Sequence, residues 1–304
     1  MRVLVSLLIV ANLVTATAQP AVQQPFTGVT HITRNEISPR SLRMHIISID
    51  LSAPGIRFKV TPPSGPRETI RQTTLQFLEA EGAQVAINAH FFLPWPSWNP
   101  FASLVGLAAS NGVVYSGFEN PEQSYAIVAD APAINIDAGN RATLVHSRPG
   151  DPPTDVTEAV TLWNVVAGSA QIVTNGVKTV PVYEDGAHPG AALRPGLDYS
   201  NARSWYEQLN ARTAIGLARG GRTLILFTVD RASGSLGMSV GEVADLLIRD
   251  YQVEQALNLD GGGSTTLAMQ DPKTRAYAIV NASSDNPSGR AVGSSLAIFA
   301  SAKR

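Results

Sequence analysis

The 304-residue chain carries 23 Lys and Arg against 24 Asp and Glu, a formal net charge of −1, and no cysteine. A near-neutral chain of mixed surface has no polybasic footprint for nucleic acid or anionic lipid. Without thiols it has no disulfides, zinc–thiolate centres or thiol nucleophiles, so stability must come from an ordinary hydrophobic core, which this length can bury.

At the start, Arg2 precedes an apolar run over residues 3–14, with small side chains at Ala16 and Ala18. That pattern predicts a signal peptide over residues 1–18, cleaved after Ala18. Polar Asn12 and Thr15 cut the run short of the ~20 apolar residues a membrane span needs. The expectation is therefore a secreted or periplasmic protein, free of the membrane once cleaved. Residues 19–25, rich in Gln and Pro, read as a flexible leader, and residues 26–304 as one domain, since no later linker separates two apolar halves.

Residues 44–51 and 56–60 read as strands parted by the turn Ser52-Ala53-Pro54-Gly55. Thr73 and Gln76 form a capping-box pattern opening a helix that Gly82 suits as a stop. A strand over residues 85–87 follows and ends at Asn88. Residues 91–98, with Phe91, Phe92, Trp95 and Trp98, and residues 181–211, with Tyr183, His188, Tyr199, Trp205 and Tyr206, are aromatic-rich loops. The second is long for a connection, and the pair could wall a sugar pocket. The continuous apolar run 224–229 predicts a strand covered on both faces and ending in Asp230. Ser239 and Glu242 form a second capping box, opening a helix with Val243, Ala244, Leu246 and Leu247 toward a core, and residues 256–259 form a strand ending in Asp260.

Strand, helix, strand is a βαβ unit, with adjacent parallel strands and a right-handed crossover. The predicted class is thus α/β (or α+β), a single domain whose mixed β-sheet contains a C-terminal βαβ unit with helices packed on the sheet. Asp230 and Asp260 would emerge together at the carboxyl edge, where open α/β sheets place ligands. Asn88 would join them if its strand is parallel to theirs.

Directly after the last strand comes Asp260-Gly261-Gly262-Gly263-Ser264. Two readings are open. Consecutive glycines let backbone amides approach an anion closely, which suits a phosphate or sugar-oxygen cradle beside the Ser264 hydroxyl. Glycine clusters equally mark tight turns.

Arg212-Thr213-Ala214-Ile215-Gly216, the strand ending Val229-Asp230, and Asn258-Leu259-Asp260-Gly261-Gly262-Gly263-Ser264-Thr265-Thr266 together resemble the phosphodiester glycosidase family. The resemblance reaches upstream to Ala86-Ile87-Asn88-Ala89-His90-Phe91-Phe92 and downstream to Asn281 and Arg290. One departure is Gly289, standing where the family commonly has an acidic residue before the arginine; another is His90, where relatives have a small or polar residue.

The resemblance implies an exported hydrolase that cleaves the glycosyl bond of a sugar-1-phosphodiester or related glycan. The leaving group, a phosphate monoester, is a stabilised anion, so carboxylates that act on the anomeric centre or its water matter more than an acid. Asp260 and Asp230 are the leading carboxylates, with their individual jobs unassigned. Arg212 is the first candidate for a phosphate clamp and Arg290 the second, because a guanidinium fork matches two phosphate oxygens. Asn88, Thr213, Gly261, Gly262, Gly263 and Ser264 complete the substrate-binding set; neither hydroxyl has a nucleophile pattern such as G-x-S-x-G. His90 is open between acid/base catalyst, phosphate donor, metal ligand and satisfied structural histidine. Oxygen ligands from Asp230, Asp260 and Asn88 would suit Ca²⁺ or Mg²⁺, but their spacing matches no EF-hand or zinc pattern and no metal is assigned. Alternatives are a glycoside hydrolase without phosphate specificity and a non-enzymatic exopolysaccharide-binding or assembly protein.

Overall fold

The computed structural model describes residues 19–118, 131–148, 150–181, 206–282 and 285–303. The signal-peptide reading and most of the second aromatic loop, including Tyr183, His188, Tyr199 and Trp205, fall outside the described residues.

Both capping boxes form as their spacing predicts. Thr73 and Gln76 exchange side-chain and backbone bonds to open α1 (Thr74–Glu81), which Gly82 closes at φ 63°. Ser239 and Glu242 do the same for α2 (Val240–Tyr251). Each cap is worth about 1 kcal/mol.

The architecture is otherwise not the α/β fold expected. The described residues hold 23 strands and only these two α-helices. Every strand pairing among them is antiparallel. The largest sheet has eight strands in the order Ala21–Phe26, Val29–Glu36, Leu42–Asp50, Thr223–Val229, Arg212–Ala218, Val253–Asn258, Ala170–Thr174 and Val177–Lys178. Ala21–Phe26, read from sequence largely as leader, is thus an edge strand.

Arg212–Ala218 lies between Thr223–Val229 and Val253–Asn258 and is antiparallel to both. Those two strands are consequently co-directional but not neighbours, and the predicted adjacent βαβ pair does not exist. Its error has a physical source. The apolar run in Thr223–Val229 reports two-sided cover, not strand direction. On one face Ile225, Phe227 and Val229 pack with Val240, Val243, Ala244 and Leu247 of α2. On the other, Leu224 and Leu226 meet a second sheet instead of helices.

That second sheet orders Tyr277–Ile279, Leu267–Gln270, Val85–Asn88, Ser295–Phe299 and Arg57–Val60. Its Val85, Ile87, Leu267, Leu296 and Ile298 share one core with Ile47, Ile49, Ile215 and Leu257 of the large sheet. Burying each such side chain contributes about 1.5–3 kcal/mol. Asn88 therefore reaches the candidate site from the facing layer, on a strand antiparallel to both of its neighbours.

Candidate functional site

Because Thr223–Val229 and Val253–Asn258 run the same way, Asp230 and Asp260 leave the sheet at one edge, on either side of the start of Arg212–Ala218. The two residues share an edge although the expected adjacency of their strands fails.

Asp260 is gripped at the backbone: its amide donates to the Ala89 carbonyl at 3.1 Å, and its carbonyl accepts from Asn88 Nδ2 at 2.6 Å. The residue is only 9% exposed. Burial pushes its pKa up to about 7, against the opposing pull of the Ser264 hydroxyl, the Arg290 charge and the Gly261 amide. The group is thus close to half ionised near neutral pH.

The glycines beyond it build a 3₁₀ turn, Gly262–Ser264. Gly262 sits at φ 59°, in the left-handed region. A Cβ on Gly263 would lie 2.1 Å from the Asp285 carboxyl carbon and 2.2 Å from Arg290 Nη2, so only glycine leaves room for that pair. The amides of Gly262, Ser264 and Thr265 donate to the carbonyls of Ala211, Gly261 and Gly262 at 2.8, 3.2 and 3.1 Å. These three amides close on the protein itself, as in a tight turn.

Charge at the rim comes from side chains. Arg290 Nη1 donates to Ser264 Oγ at 3.1 Å, Nη2 pairs with Asp285, and the guanidinium lies 4.1 Å over the Trp95 ring. Burial lowers the Arg290 pKa, opposed by the Asp260 charge. Asp285 was not singled out from sequence, and Trp95 was named only as part of the aromatic loop that could wall a sugar pocket. The signal for Asp285 was Gly289, whose missing carboxylate left Arg290 without an acidic neighbour in the chain; the partner comes from five residues upstream.

Asp230 is fully buried. It accepts from Asn281 Nδ2 at 3.1 Å and the Ala282 amide at 3.0 Å, with Arg43 Nε at 3.7 Å. Burial raises its pKa, against those bonds and the Arg43 charge. Asn281 also donates to the Thr265 carbonyl at 3.1 Å, tying Asp230 to the turn that holds Ser264. Asn88 Oδ1 accepts from Thr213 Oγ1 and the Thr266 amide, both at 3.0 Å. Asn88, Thr213, Asp230 and Asn281 thus form a hydrogen-bonded floor.

Arg212 and His90 are both withdrawn from solvent. Arg212 is wholly buried, donating through Nε to the Met238 carbonyl at 3.0 Å and through Nη2 to the Gln208 carbonyl. Burial pulls its pKa down to about 9. His90, also wholly buried, has Nδ1 2.7 Å from Ser294 Oγ and Nε2 3.0 Å from the Ala167 amide. Burial pulls it down to about 4, so the ring is neutral. Of the readings left open for His90, this geometry fits the satisfied structural histidine.

The trio Asn88, Asp230 and Asp260 does not fit a calcium or magnesium ion. Asn88 Oδ1 and both Asp230 oxygens already accept N–H or O–H bonds from protein. Among the described residues no three acidic or histidine side chains converge.

A layered antiparallel β scaffold presenting a buried carboxyl beside a guanidinium at a sheet edge defines the class. Residues 81–299 match the family model for phosphodiester glycosidase, and the chain belongs to that family. The mouse N-acetylglucosamine-1-phosphodiester alpha-N-acetylglucosaminidase is 44% identical over 61 residues, 20% of this chain and 11% of the mouse protein. Its human counterpart is 43% identical over 61 residues, 20% of this chain and 12% of that protein. The alignment thus spans only about a tenth of these relatives' length. The zebrafish catalytic domain of that enzyme, auto-inhibited by its pro-peptide, superposes with a TM-score of 0.63 at 20% identity, over 95% of this chain and 89% of that one. An exported Burkholderia pseudomallei protein superposes with a TM-score of 0.55 at 17% identity, over 85% and 74%. At those identities the likeness is one of fold.

Proposed function

We propose that this protein is an exported hydrolase cleaving the glycosyl bond of a sugar-1-phosphodiester, with Asp260 at the anomeric centre and Arg290 on the phosphate. The observation that carries the reading is the Asp260–Ser264–Arg290 arrangement, a carboxyl with a pKa of about 7 next to a guanidinium at the sheet edge. Membership of the family supports the reaction class, since its members act on phosphodiester-linked sugars.

The bond that breaks joins the anomeric carbon to a phosphate oxygen, and the electron pair leaves with the phosphate. No proton need be given to such a leaving group. Asp260 serves in its ionised form, acting on the anomeric carbon or taking the proton of the water that attacks it. Arg290 offers its planar fork to phosphate, with Asp285 holding the guanidinium in place. Arg290 takes this role in preference to the wholly buried Arg212, whose Nε and Nη2 donate to the Met238 and Gln208 carbonyls. Asp230, Asn88, Thr213 and Asn281 are positioning residues beneath the turn. The pattern over residues 1–18 supports export, to the cell exterior or the periplasm.

Purified protein assayed on sugar-1-phosphodiesters and neutral aryl glycosides, with and without chelator, tests the proposal. Turnover of phosphodiesters only, lost in Asp260→Asn and reduced in Arg290→Ala, is the expected result. Undiminished hydrolysis by Asp260→Asn removes the carboxylate from the reaction, and equal turnover of neutral glycosides removes the phosphate.

A further inference from the structure

Trp98 is 103% exposed, and with Trp95 it supplies the aromatic members of the exposed large apolar side chains among the described residues. A ring left in water forgoes the 1.5–3 kcal/mol that burial of a large apolar side chain brings. Slack in the loop is no explanation, because the backbone around the ring is tied down. Arg71 donates to the Ser97 carbonyl at 3.0 Å and to the Pro94 carbonyl, and lies 4.8 Å over the Phe92 ring. Ser97 Oγ accepts from the Asn99 amide at 3.1 Å, and Asn99 Oδ1 from the Phe101 amide at 3.0 Å. Phe92 meets Trp95 edge to face at 5.8 Å. The loop backbone that carries Trp98 is thus tied down while its indole stands in solvent.

The same loop leads away from the proposed phosphate grip. Trp95 lies under Arg290, and Trp98 follows three residues later, at most ~10 Å along an extended chain. If Arg290 holds phosphate, the path from Asp260 through Arg290 and Trp95 to Trp98 runs from the cleaved sugar toward the alcohol esterified on the phosphate's far side. Trp98 stands between polar Ser97 and Asn99 in the chain, whereas an apolar protein or lipid partner needs a contiguous patch of a few hundred Å². A pyranose presents an apolar C–H face rimmed by hydroxyls, which matches a rigid indole face in polar surroundings.

We propose that Trp98 is a distal, leaving-group-side subsite that stacks on a sugar ring, so that the protein selects phosphodiesters carried on an oligosaccharide chain over those of small alcohols. This rests on the assignment of Asp260 and Arg290 above, and its test separates the two. A matched pair of sugar-1-phosphodiesters is used, one esterified to methanol and one to a terminal hydroxyl of a linear trisaccharide. The ratio of kcat/KM, trisaccharide over methyl, should fall about tenfold in Trp98→Ala, the loss of one aromatic contact, and recover substantially in Trp98→Phe. The exposed position lets both variants fold, which an unchanged thermal midpoint verifies. A ratio equal to the wild type in Trp98→Ala, or a Phe variant as impaired as the Ala variant, overturns the subsite. Should the wild type cleave neither ester, the hydrolase assignment fails, and the subsite is judged on equilibrium binding of the free trisaccharide. A weaker Kd for Trp98→Ala, with loss of the tryptophan-emission change, then supports it; equal Kd values overturn it.

Discussion

On the floor of the site, Asn88 has both polar side-chain atoms in hydrogen bonds to protein, while on the rim Arg290 shares its guanidinium among Ser264, Asp285 and the Trp95 face and keeps some solvent access. Both are polar residues beside Asp260. The floor is saturated, so its groups have little to offer a ligand and much to lose if a partner is removed. The rim is held by an ion pair and a ring stack that a ligand can compete with. Stability should therefore reside in the floor and chemistry in the rim.

The hardest test of that division is Asp260→Asn, which should lower turnover about 10³-fold or more while the far-UV circular dichroism spectrum stays unchanged. Next in size, Asn88→Ala should remove about 3 kcal/mol of unfolding free energy in urea, because Thr213, the Thr266 amide and the Asp260 carbonyl are left buried without their partner. Arg290→Ala should do the reverse, reducing kcat/KM for phosphodiesters about 100-fold with little change in urea midpoint. Equal losses of stability in these two variants would erase the distinction between floor and rim.

Smaller effects follow from titration. If ionised Asp260 is the active form, kcat/KM should rise with pH and level off above about 7, and Arg290→Ala should move that limb upward by removing the favourable charge. The folded state holds the Asp260 proton more tightly than the unfolded chain does. Its stabilising contribution is therefore complete below the ordinary aspartate value of 3.8 and is lost as pH rises through about 7, a difference of up to about 4 kcal/mol. Asp260→Asn should accordingly gain on the wild type in urea unfolding at pH 8 relative to pH 4. His45 and His90 act in the opposite sense: burial pulls them down to about 3 and 4, so the stability of their neutral rings is present above 6.5 and drains away as pH falls toward those values.

The amino-acid sequence alone determined what is local. Both capping boxes, and strand ends at or within two residues of Asn88, Asp230 and Asp260, follow from side chains a few positions apart, because caps and turns are made within one stretch of backbone. The order of motifs from Asn88 to Arg290 was likewise enough to identify the family. Tertiary structure decided the rest. An apolar run records that both faces of a strand are covered but not by what, so the insertion of Arg212–Ala218 between the two Asp-bearing strands, and the replacement of helices by a second sheet, left no local trace. Whether an arginine is open or committed is decided in the same way. Arg212 and Arg290 are alike as residues, and only the carbonyls of Met238 and Gln208 around one, and the Asp285 carboxylate and Trp95 ring around the other, set them apart. Those partners lie far away in sequence or out of pattern, and burial, not spacing, brings them into contact.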